Sequence, residues 1–240
     1  MEKAAEHTLK KAMYLMAGVA LAGVADHRLP AAEAPGVSAV QSSDLTVQAP
    51  ATRSGELTPD SSGIWQDEVG QGFRKGVSEA GICLGVGVGA SMFGSTQAHD
   101  LALTKLYFGR VFSGVVAGDK WYRGNWEFLG EAFGGAQFNP REAYVVGLTP
   151  VLRYNFATGT RWVPFFDAGA GVTLTDIGRP DLGGVFQFNL QTGPGVRYFV
   201  NEKTVLTFQY RFLHISNASI QDPDHGVNTS VFYVGVSWFF

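Results

Sequence analysis

The chain has 240 residues, a formal net charge of −3 at pH 7, 31 glycines and only 16% charged residues. A net negative charge without a basic segment argues against a nucleic-acid partner. The single cysteine, Cys83, excludes an internal disulfide and any metal site built from several cysteines. We interpret Cys83 as a small packing residue.

Residues 1–25 have the pattern of a secretory signal peptide. Lys10 and Lys11 belong to a basic start, and an apolar stretch follows over residues 12–25. A membrane anchor is the alternative, but the apolar stretch is short for a spanning helix. Residues 26–63 are rich in Ala, Pro, Ser and Thr and bury little apolar area, so we predict a flexible periplasmic linker.

Residues 64–240 predict a β-barrel. Segments of strand-like composition follow one another at 79–93, 99–116, 121–136, 142–156, 161–175, 184–200, 203–218 and 227–240. Eight is an even number, and most segments exceed the five or six residues that are usual for a strand of a globular protein. Their lengths suit tilted membrane strands of about ten residues with extensions beyond the bilayer.

Alternation within the segments indicates which face meets lipid. In the last one, Phe232, Val234, Val236 and Trp238 share a face. The opposite faces carry small residues and the charged residues Glu127, Glu131, Arg153, Asp167, Arg197 and Arg211. A soluble, lipocalin-like barrel would place bulky apolar residues inside. The pattern therefore favours an apolar exterior in lipid around a narrow polar lumen.

The connections agree with an outer-membrane barrel. Those after the second, fourth and sixth predicted strands are short, whereas those after the third, fifth and seventh, such as 176–183 and 219–226, are longer and rich in turn residues. Outer-membrane barrels have short periplasmic turns and longer outer loops, so both chain ends would lie on the periplasmic side. We predict an all-β fold, an eight-stranded antiparallel transmembrane β-barrel in the outer membrane of a Gram-negative bacterium.

A histidine and a serine end the apolar face of the seventh predicted strand. The spacing of His214 and Ser216 places their Cα atoms about 6.7 Å apart on one face. A histidine so placed can accept a serine proton and return it to a leaving group. Asn217 follows, and its side chain or nearby backbone N–H groups can donate to an oxyanion. By spacing alone, a polar girdle at the membrane interface explains the same residues.

The longer segment resembles a family signature. His214-Ile215-Ser216-Asn217-Ala218, followed by Pro223, Gly226 and Asn228, resembles the C-terminal signature of the lipid A 3-O-deacylase (PagL) family. The resemblance is specific over about residues 206–240. It implies an eight-stranded outer-membrane barrel whose active site lies on the lipid-facing surface and hydrolyses the ester at the 3 position of lipid A.

The resemblance also implies roles for individual residues. It makes His214 the general base, Ser216 the nucleophile and Asn217 a support for the oxyanion. The family has a glutamate fourteen residues after the histidine, where this chain has Asn228. An amide oxygen can accept the imidazole N–H and fix its tautomer, but it cannot stabilise an imidazolium by charge.

These observations leave several functions open. We expect an esterase that acts on lipid A in the outer leaflet and needs neither a cofactor nor a metal, with Asp222 or Asp224 as a second source of a carboxylate. A homodimer stays open. The alternatives are a structural or adhesive barrel without catalysis, which includes a degenerate family member, and a soluble binding barrel. The charged inner faces argue against the soluble barrel.

Overall fold

Period-two alternation continues through eight strands, which close on themselves. The computed structural model describes residues 71–240, so the predicted signal peptide (1–25) and linker (26–63) lie outside the described residues. A 3-10 helix at Gln71–Phe73 precedes β1 (Ser78–Gly89), β2 (Asp100–Val111), β3 (Gly124–Asn139), β4 (Ala143–Phe156), β5 (Trp162–Thr175), β6 (Phe186–Phe199), β7 (Thr204–Ser216) and β8 (Val227–Phe239). Each strand pairs with its sequence neighbours, and β1 pairs with β8. The predicted fold class is confirmed.

The exterior of the barrel is apolar, as the alternation predicts. On β7, Leu206 and Phe208 point outward and are exposed, whereas Val205 and Thr207 point inward and are buried. Large exposed apolar side chains occur on every strand, among them Ile82, Leu106, Phe128, Leu148, Phe166, Leu190, Phe208 and Phe232. Such a surface suits lipid rather than water. In residues 71–240 there is no helix of the length and hydropathy that crossing a membrane requires.

The lumen is filled by paired charges. Its buried ionisable side chains are Glu79, Lys105, Glu127, Glu131, Arg153, Asp167, Arg197 and Arg211. Asp167 is at the centre: Arg153 donates to its two oxygens at 2.7 and 2.9 Å, and Arg211 donates to it at 2.6 Å. Arg211 also donates to Glu131. Buried charges persist only when they are paired, so this network accounts for the charged inner faces that the sequence predicts.

Bulky rings share the lumen with these charges, and glycines make room for them. Tyr107 and Tyr233 point inward and are buried. A Cβ atom at Gly85 would lie 2.5 Å from the Tyr233 ring, so only glycine fits there. The lumen is therefore packed by glycine–aromatic pairs as well as by the small residues expected from the sequence.

Three connections differ from the sequence prediction. The first strand ends at Gly89 rather than at 93, so 90–99 form a loop. The connection after β2 spans 112–123 and is long rather than short, since continuous pairing ends at Val111 and only an isolated bridge joins Val116 to Gly124. The connection after β3 spans only 140–142. The loops after β5 and β7 are long, as predicted, and together with the loop after β1 they gather at the end of the barrel opposite the chain terminus at β8.

Candidate active site

The β7–β8 pair brings His214 and Asn228 together. The two residues stand directly opposite each other in the antiparallel register. The Nδ1 atom of His214 lies 2.7 Å from the Oδ1 atom of Asn228. Cross-strand partners on one face have the closest Cβ atoms in a sheet, so the pairing register itself creates this contact. The alternation along β8 likewise assigns Asn228 to the face that His214 occupies.

The orientation of the Asn228 amide fixes the histidine tautomer. Its Nδ2 atom donates to the Met92 carbonyl at 2.7 Å. A carbonyl can only accept, so the amide oxygen must be the atom that faces His214. That oxygen also only accepts, so Nδ1 of His214 carries a proton, and the neutral form of the ring has its lone pair on Nε2. Asn228 is fully buried, because the loop after β1 covers it.

Ser216 lies two residues beyond His214 on the same outward face, and both are half-buried. The Ser216 hydroxyl has no hydrogen-bond partner within residues 71–240, so it is free to move toward the imidazole. Gly226 packs against the imidazole ring of His214. A Cβ atom at Gly226 would lie 2.8 Å from Cε1 of His214, and its φ is 77°. Both the space and the backbone conformation therefore require glycine.

The side chain and the backbone N–H of Asn217 are engaged in hydrogen bonds that hold the loop between β7 and β8. Its Nδ2 atom donates to the carbonyls of Gly183 and Gln221, at 2.9 and 2.6 Å, and the side chain is buried. Its backbone N–H donates to Asp224 at 2.9 Å. Direct donation from Asn217 to an oxyanion therefore conflicts with this arrangement. The next N–H, that of Ala218, has no acceptor among the described residues.

The loop carboxylates do not reach the histidine. Asp224 accepts the backbone N–H groups of Asn217 and Ser219, at 2.9 and 2.6 Å, and so closes the loop. Asp222 is exposed, and its backbone carbonyl faces Arg179. Within the described part of the chain, no carboxylate pairs with His214. The alternative source of a carboxylate considered from the sequence is therefore wrong for this structure.

An apolar groove begins at His214 and runs over the outer wall. Its volume is about 640 Å³, and its lining is Phe93, Ala168, Gly169, Leu190, Gln191, Thr192, Phe212 and His214. The base of the site thus opens onto a surface that a hydrocarbon chain can follow. A second, smaller groove of about 390 Å³ lies further along β6 and β7, between Pro194 and Phe208.

A polar cluster ties the loops together at the same end of the barrel. The ring nitrogens of His99 lie 2.7 Å from Gln137 Oε1 and 2.8 Å from Asp181 Oδ2. The backbone N–H and hydroxyl of Thr96 both donate to Asp181 at 2.7 Å. Burial acts to raise the pKa of Asp181, but the hydrogen bonds from Thr96 and His99 outweigh it and hold that pKa below its usual value.

The Asp181 cluster also supports the site. The Asp181 carbonyl accepts the N–H groups of His225 and Gly226, at 2.9 and 3.2 Å. Gly226 in turn packs on His214, so the cluster braces one side of the imidazole. The described residues contain no group of His, Cys, Asp and Glu side chains that could hold a metal ion.

The structure brings His214 and Asn228 into contact and places Ser216 on the same face, but the loop that covers Asn228 is not predicted from the sequence. Met92 and Phe93 were assigned to the end of the first strand. A signal was present, since Gly94 and the polar residues after it are typical of a turn rather than a strand. The pairing of His99 with Asp181 had no signal, because the two residues are 82 positions apart.

Comparison with known proteins identifies a family. The model of "Lipid A 3-O-deacylase (PagL)" matches residues 105–237. This range includes His214, Ser216 and Asn228 and covers more than half of the chain. A search of curated proteins returned no match.

Solved structures resemble the barrel at low sequence identity. The outer membrane enzyme PagL is 20% identical, with 64% of this chain and 97% of that chain covered and a TM-score of 0.46. Neisserial surface protein A is 16% identical, with 69% and 100% covered and a TM-score of 0.52. The attachment invasion locus protein Ail of Yersinia pestis is 13% identical, with 70% and 100% covered and a TM-score of 0.44. At these identities, the likeness concerns the fold alone.

Proposed function

Because the chain belongs to the lipid A 3-O-deacylase (PagL) family and is a Gram-negative outer-membrane barrel, we propose that it hydrolyses the 3-O-linked acyl ester of lipid A with Ser216 as the nucleophile. The observation that carries the proposal is the contact of His214 with Asn228, which orients the imidazole and puts the lone pair of its neutral form on Nε2, the nitrogen that Asn228 does not engage. A neutral, oriented imidazole is what activation of a serine requires.

The first half of the reaction forms an acyl-enzyme. The Ser216 hydroxyl attacks the ester carbonyl carbon, and its proton passes to Nε2 of His214. The resulting oxyanion needs a donor, and the free N–H of Ala218 is the nearest unused backbone donor along the chain. The tetrahedral intermediate then expels the sugar oxygen, which takes the proton from His214.

The second half returns the enzyme to its starting state. Water attacks the Ser216 ester, His214 accepts a proton from the water, and the fatty acid leaves as Ser216 regains its proton. Asn228 holds the ring in position through both halves but supplies no charge. We therefore expect slower turnover than an oriented carboxylate would support. The residues that carry these steps need no cofactor.

The position of the site suits a substrate that remains in the membrane. His214 and Ser216 face outward at the end of β7 where the long loops gather. Lipid A in the outer leaflet would approach from the side, with its ester at the headgroup boundary and its acyl chain along the apolar wall. Polar residues on a lipid-facing wall are costly unless such a partner meets them.

A second candidate, a barrel without catalytic activity, is favoured by one observation. His214 has no carboxylate partner in the described chain, and Asn228 stands where the family signature has its acid. In that case the barrel would be structural or adhesive. The two candidates differ in a measurable way, since only the esterase needs the Ser216 hydroxyl.

The test is the mass of lipid A from a Gram-negative host that expresses the protein. The wild-type barrel should remove one 3-O-linked acyl chain, and Ser216→Ala should lower the rate by about a thousandfold or more. His214→Ala should have a similar effect, because the two residues act as a unit.

Ser230→Ala is the matched control. Ser230 is half-buried on the same wall, and its hydroxyl lies 3.1 Å from that of Tyr210 rather than beside His214. This variant should deacylate as the wild type does. Unchanged lipid A from a folded wild-type barrel would favour the non-catalytic candidate, and equal deacylation by Ser216→Ala would refute the residue assignment.

A further inference from the structure

The tip of the loop after β1 is a tight turn with an unusual residue in it. The Ser95 N–H donates to the Met92 carbonyl at 3.1 Å, and the two residues between them have φ values of 51° (Phe93) and 98° (Gly94). Two successive positive φ values are characteristic of a type I′ turn, whose first central position favours asparagine or glycine. Phenylalanine is disfavoured there because of its Cβ atom.

The Phe93 ring is held over the outer wall of the barrel. It is 77% exposed, yet it meets Phe212 edge to face, with the ring centroids 6.2 Å apart. It also lines the groove that begins at His214. An exposed aromatic ring on a strained backbone gains little for stability, so its position calls for a functional reason.

The same turn is coupled to the catalytic residues through its backbone. The Met92 carbonyl accepts the Ser95 N–H and the Asn228 amide together. The turn therefore has two separable parts. Its backbone orients Asn228, and the side chain of Phe93 forms a wall of the groove. A substitution that suits the turn can remove the ring and leave the backbone in place.

We propose that Phe93 is the residue that determines acyl-chain specificity, by closing over a hydrocarbon chain that lies in the groove beside His214. The inference rests on the proposed ester hydrolysis and deepens it. Ala168 and Gly169 leave space on the opposite side of the groove, and Leu190 and Phe212 supply apolar walls. The bound chain would cover the exposed face of the Phe93 ring.

The energy of such a contact grows with the apolar area that it buries. A long acyl chain gains from Phe93, whereas a short one ends before reaching the ring. A ring that only anchored the loop in the membrane interface would instead affect all substrates equally. Chain-length dependence therefore separates a specificity role from a structural one.

The first experiment compares Phe93→Asn and Phe93→Leu, purified in detergent, on p-nitrophenyl butyrate and p-nitrophenyl decanoate. Asparagine suits the turn and removes the ring, so kcat/KM on decanoate should fall at least about fivefold while kcat/KM on butyrate stays unchanged. Leucine keeps an apolar side chain and should retain most of the decanoate rate. Equal changes on both esters, or none on either, would overturn the proposal.

Phe108→Ala is the matched control. Phe108 is an exposed aromatic residue on β2 that contacts Phe240, away from His214. Its loss should leave the ratio of the two rates at the wild-type value. Circular dichroism and heat-modifiable gel mobility of each variant confirm that the barrel has folded.

The second experiment does not depend on turnover. A decanoyl ester with a diazirine at the chain end is photolysed with Ser216→Ala protein, with and without Phe93→Asn, and the labelled peptides are mapped. Labelling of β6 and β7 next to the groove should fall several-fold when Phe93 is replaced. If the wild-type barrel hydrolyses neither ester but labelling still falls when Phe93 is replaced, the proposed function is refuted while the binding of the chain beside Phe93 stands. Equal labelling with and without Phe93→Asn would overturn the inference and leave the proposed function standing.

Discussion

Asn228 accepts a hydrogen bond from His214 across the β7–β8 pair, with 2.7 Å between Oδ1 and Nδ1, and its own amide nitrogen is held by the Met92 carbonyl at the same distance. Asn228 thus stands where the family signature has a glutamate. The hydrogen bond to the Met92 carbonyl determines that the amide oxygen, rather than the amide nitrogen, faces the imidazole. Orientation and charge stabilisation, which one carboxylate usually supplies together, are separated here.

This separation predicts different outcomes for two substitutions at position 228. Asn228→Leu keeps the volume but removes the acceptor, so the tautomer of His214 is no longer fixed and kcat should fall about a hundredfold or more. Asn228→Glu restores a charge beside the imidazolium and should preserve or raise kcat. Deacylation rates on purified lipid A would decide. Wild-type turnover by the leucine variant, or abolished turnover by the glutamate variant, would contradict the orienting role.

A larger side chain on the far side of the groove should fill it and exclude long acyl chains. Ala168 is an exposed residue of β5 on the lipid-facing wall, where leucine is a normal occupant. Ala168→Leu should fill the groove and lower kcat/KM on long-chain esters by about tenfold, without loss on short-chain ones. The barrel should fold as well as the wild type. Ala132→Leu, on the lipid-facing wall of β3, is the control and should leave the rate ratio unchanged.

The cluster around Asp181 predicts a pH-dependent stability of the outer loops. Because the pKa of Asp181 is lowered on folding, its contribution is fully present above the unfolded value of about 3.9 and is lost as the pH falls through the folded value. Asp181→Ala leaves the hydrogen-bond donors of Thr96 and His99 without their acceptor and should lower the stability of the folded loops by about 2–3 kcal/mol at neutral pH.

Limited proteolysis of the loops measures this effect. At pH 7 the Asp181→Ala protein should be cleaved in residues 90–99 and 217–226 much faster than the wild type. The difference should shrink as the pH is lowered below 4. Asp119→Ala, in the exposed connection after β2, is the control and should change neither rate. A difference that persists unchanged at low pH would argue against the ionised carboxylate as its source.

Replacement of Asp167 in the lumen should greatly lower the free energy of unfolding of the barrel. Its carboxylate accepts hydrogen bonds from Arg153, Arg211 and Gln209. Asp167→Leu therefore removes the negative charge that is paired with two buried guanidinium groups. The cost should be about 3–5 kcal/mol, measured by guanidinium unfolding in detergent. Glu127→Gln is the milder comparison, because Glu127 Oε1 has no hydrogen bond within the described chain. Equal losses from both variants would contradict a network centred on Asp167.

The fold was predictable because the membrane imposes a simple rule on the sequence. Apolar residues such as Phe208 and Phe232 alternate with inward residues such as Arg211, and that pattern survives without any knowledge of the strand partners. Pairing between neighbours then places His214 opposite Asn228 once the loop length is set. The face shared by these two residues follows from local alternation.

The remaining features depend on contacts between distant parts of the chain. The strand prediction runs on to residue 93 because Met92 and Phe93 are good strand residues, and only their contacts with Asn228 and Phe212 give them another role. The hydrogen bonds that engage Asn217 could not be predicted either, since one of them goes to the carbonyl of Gly183 on a different connection. Alternation specifies faces, but it does not specify which loop covers which residue.

The seam between β1 and β8 has a consequence for when the protein can act. His214 and Ser216 lie near the end of the chain, whereas the carbonyl that orients Asn228 belongs to the first hairpin, and the two meet only where Gly89 pairs with Thr229. An unclosed intermediate lacks that contact. If the proposed function holds, closure of the barrel is therefore also the step that orients the imidazole for catalysis, and a chain that has not closed its barrel should not hydrolyse lipid esters.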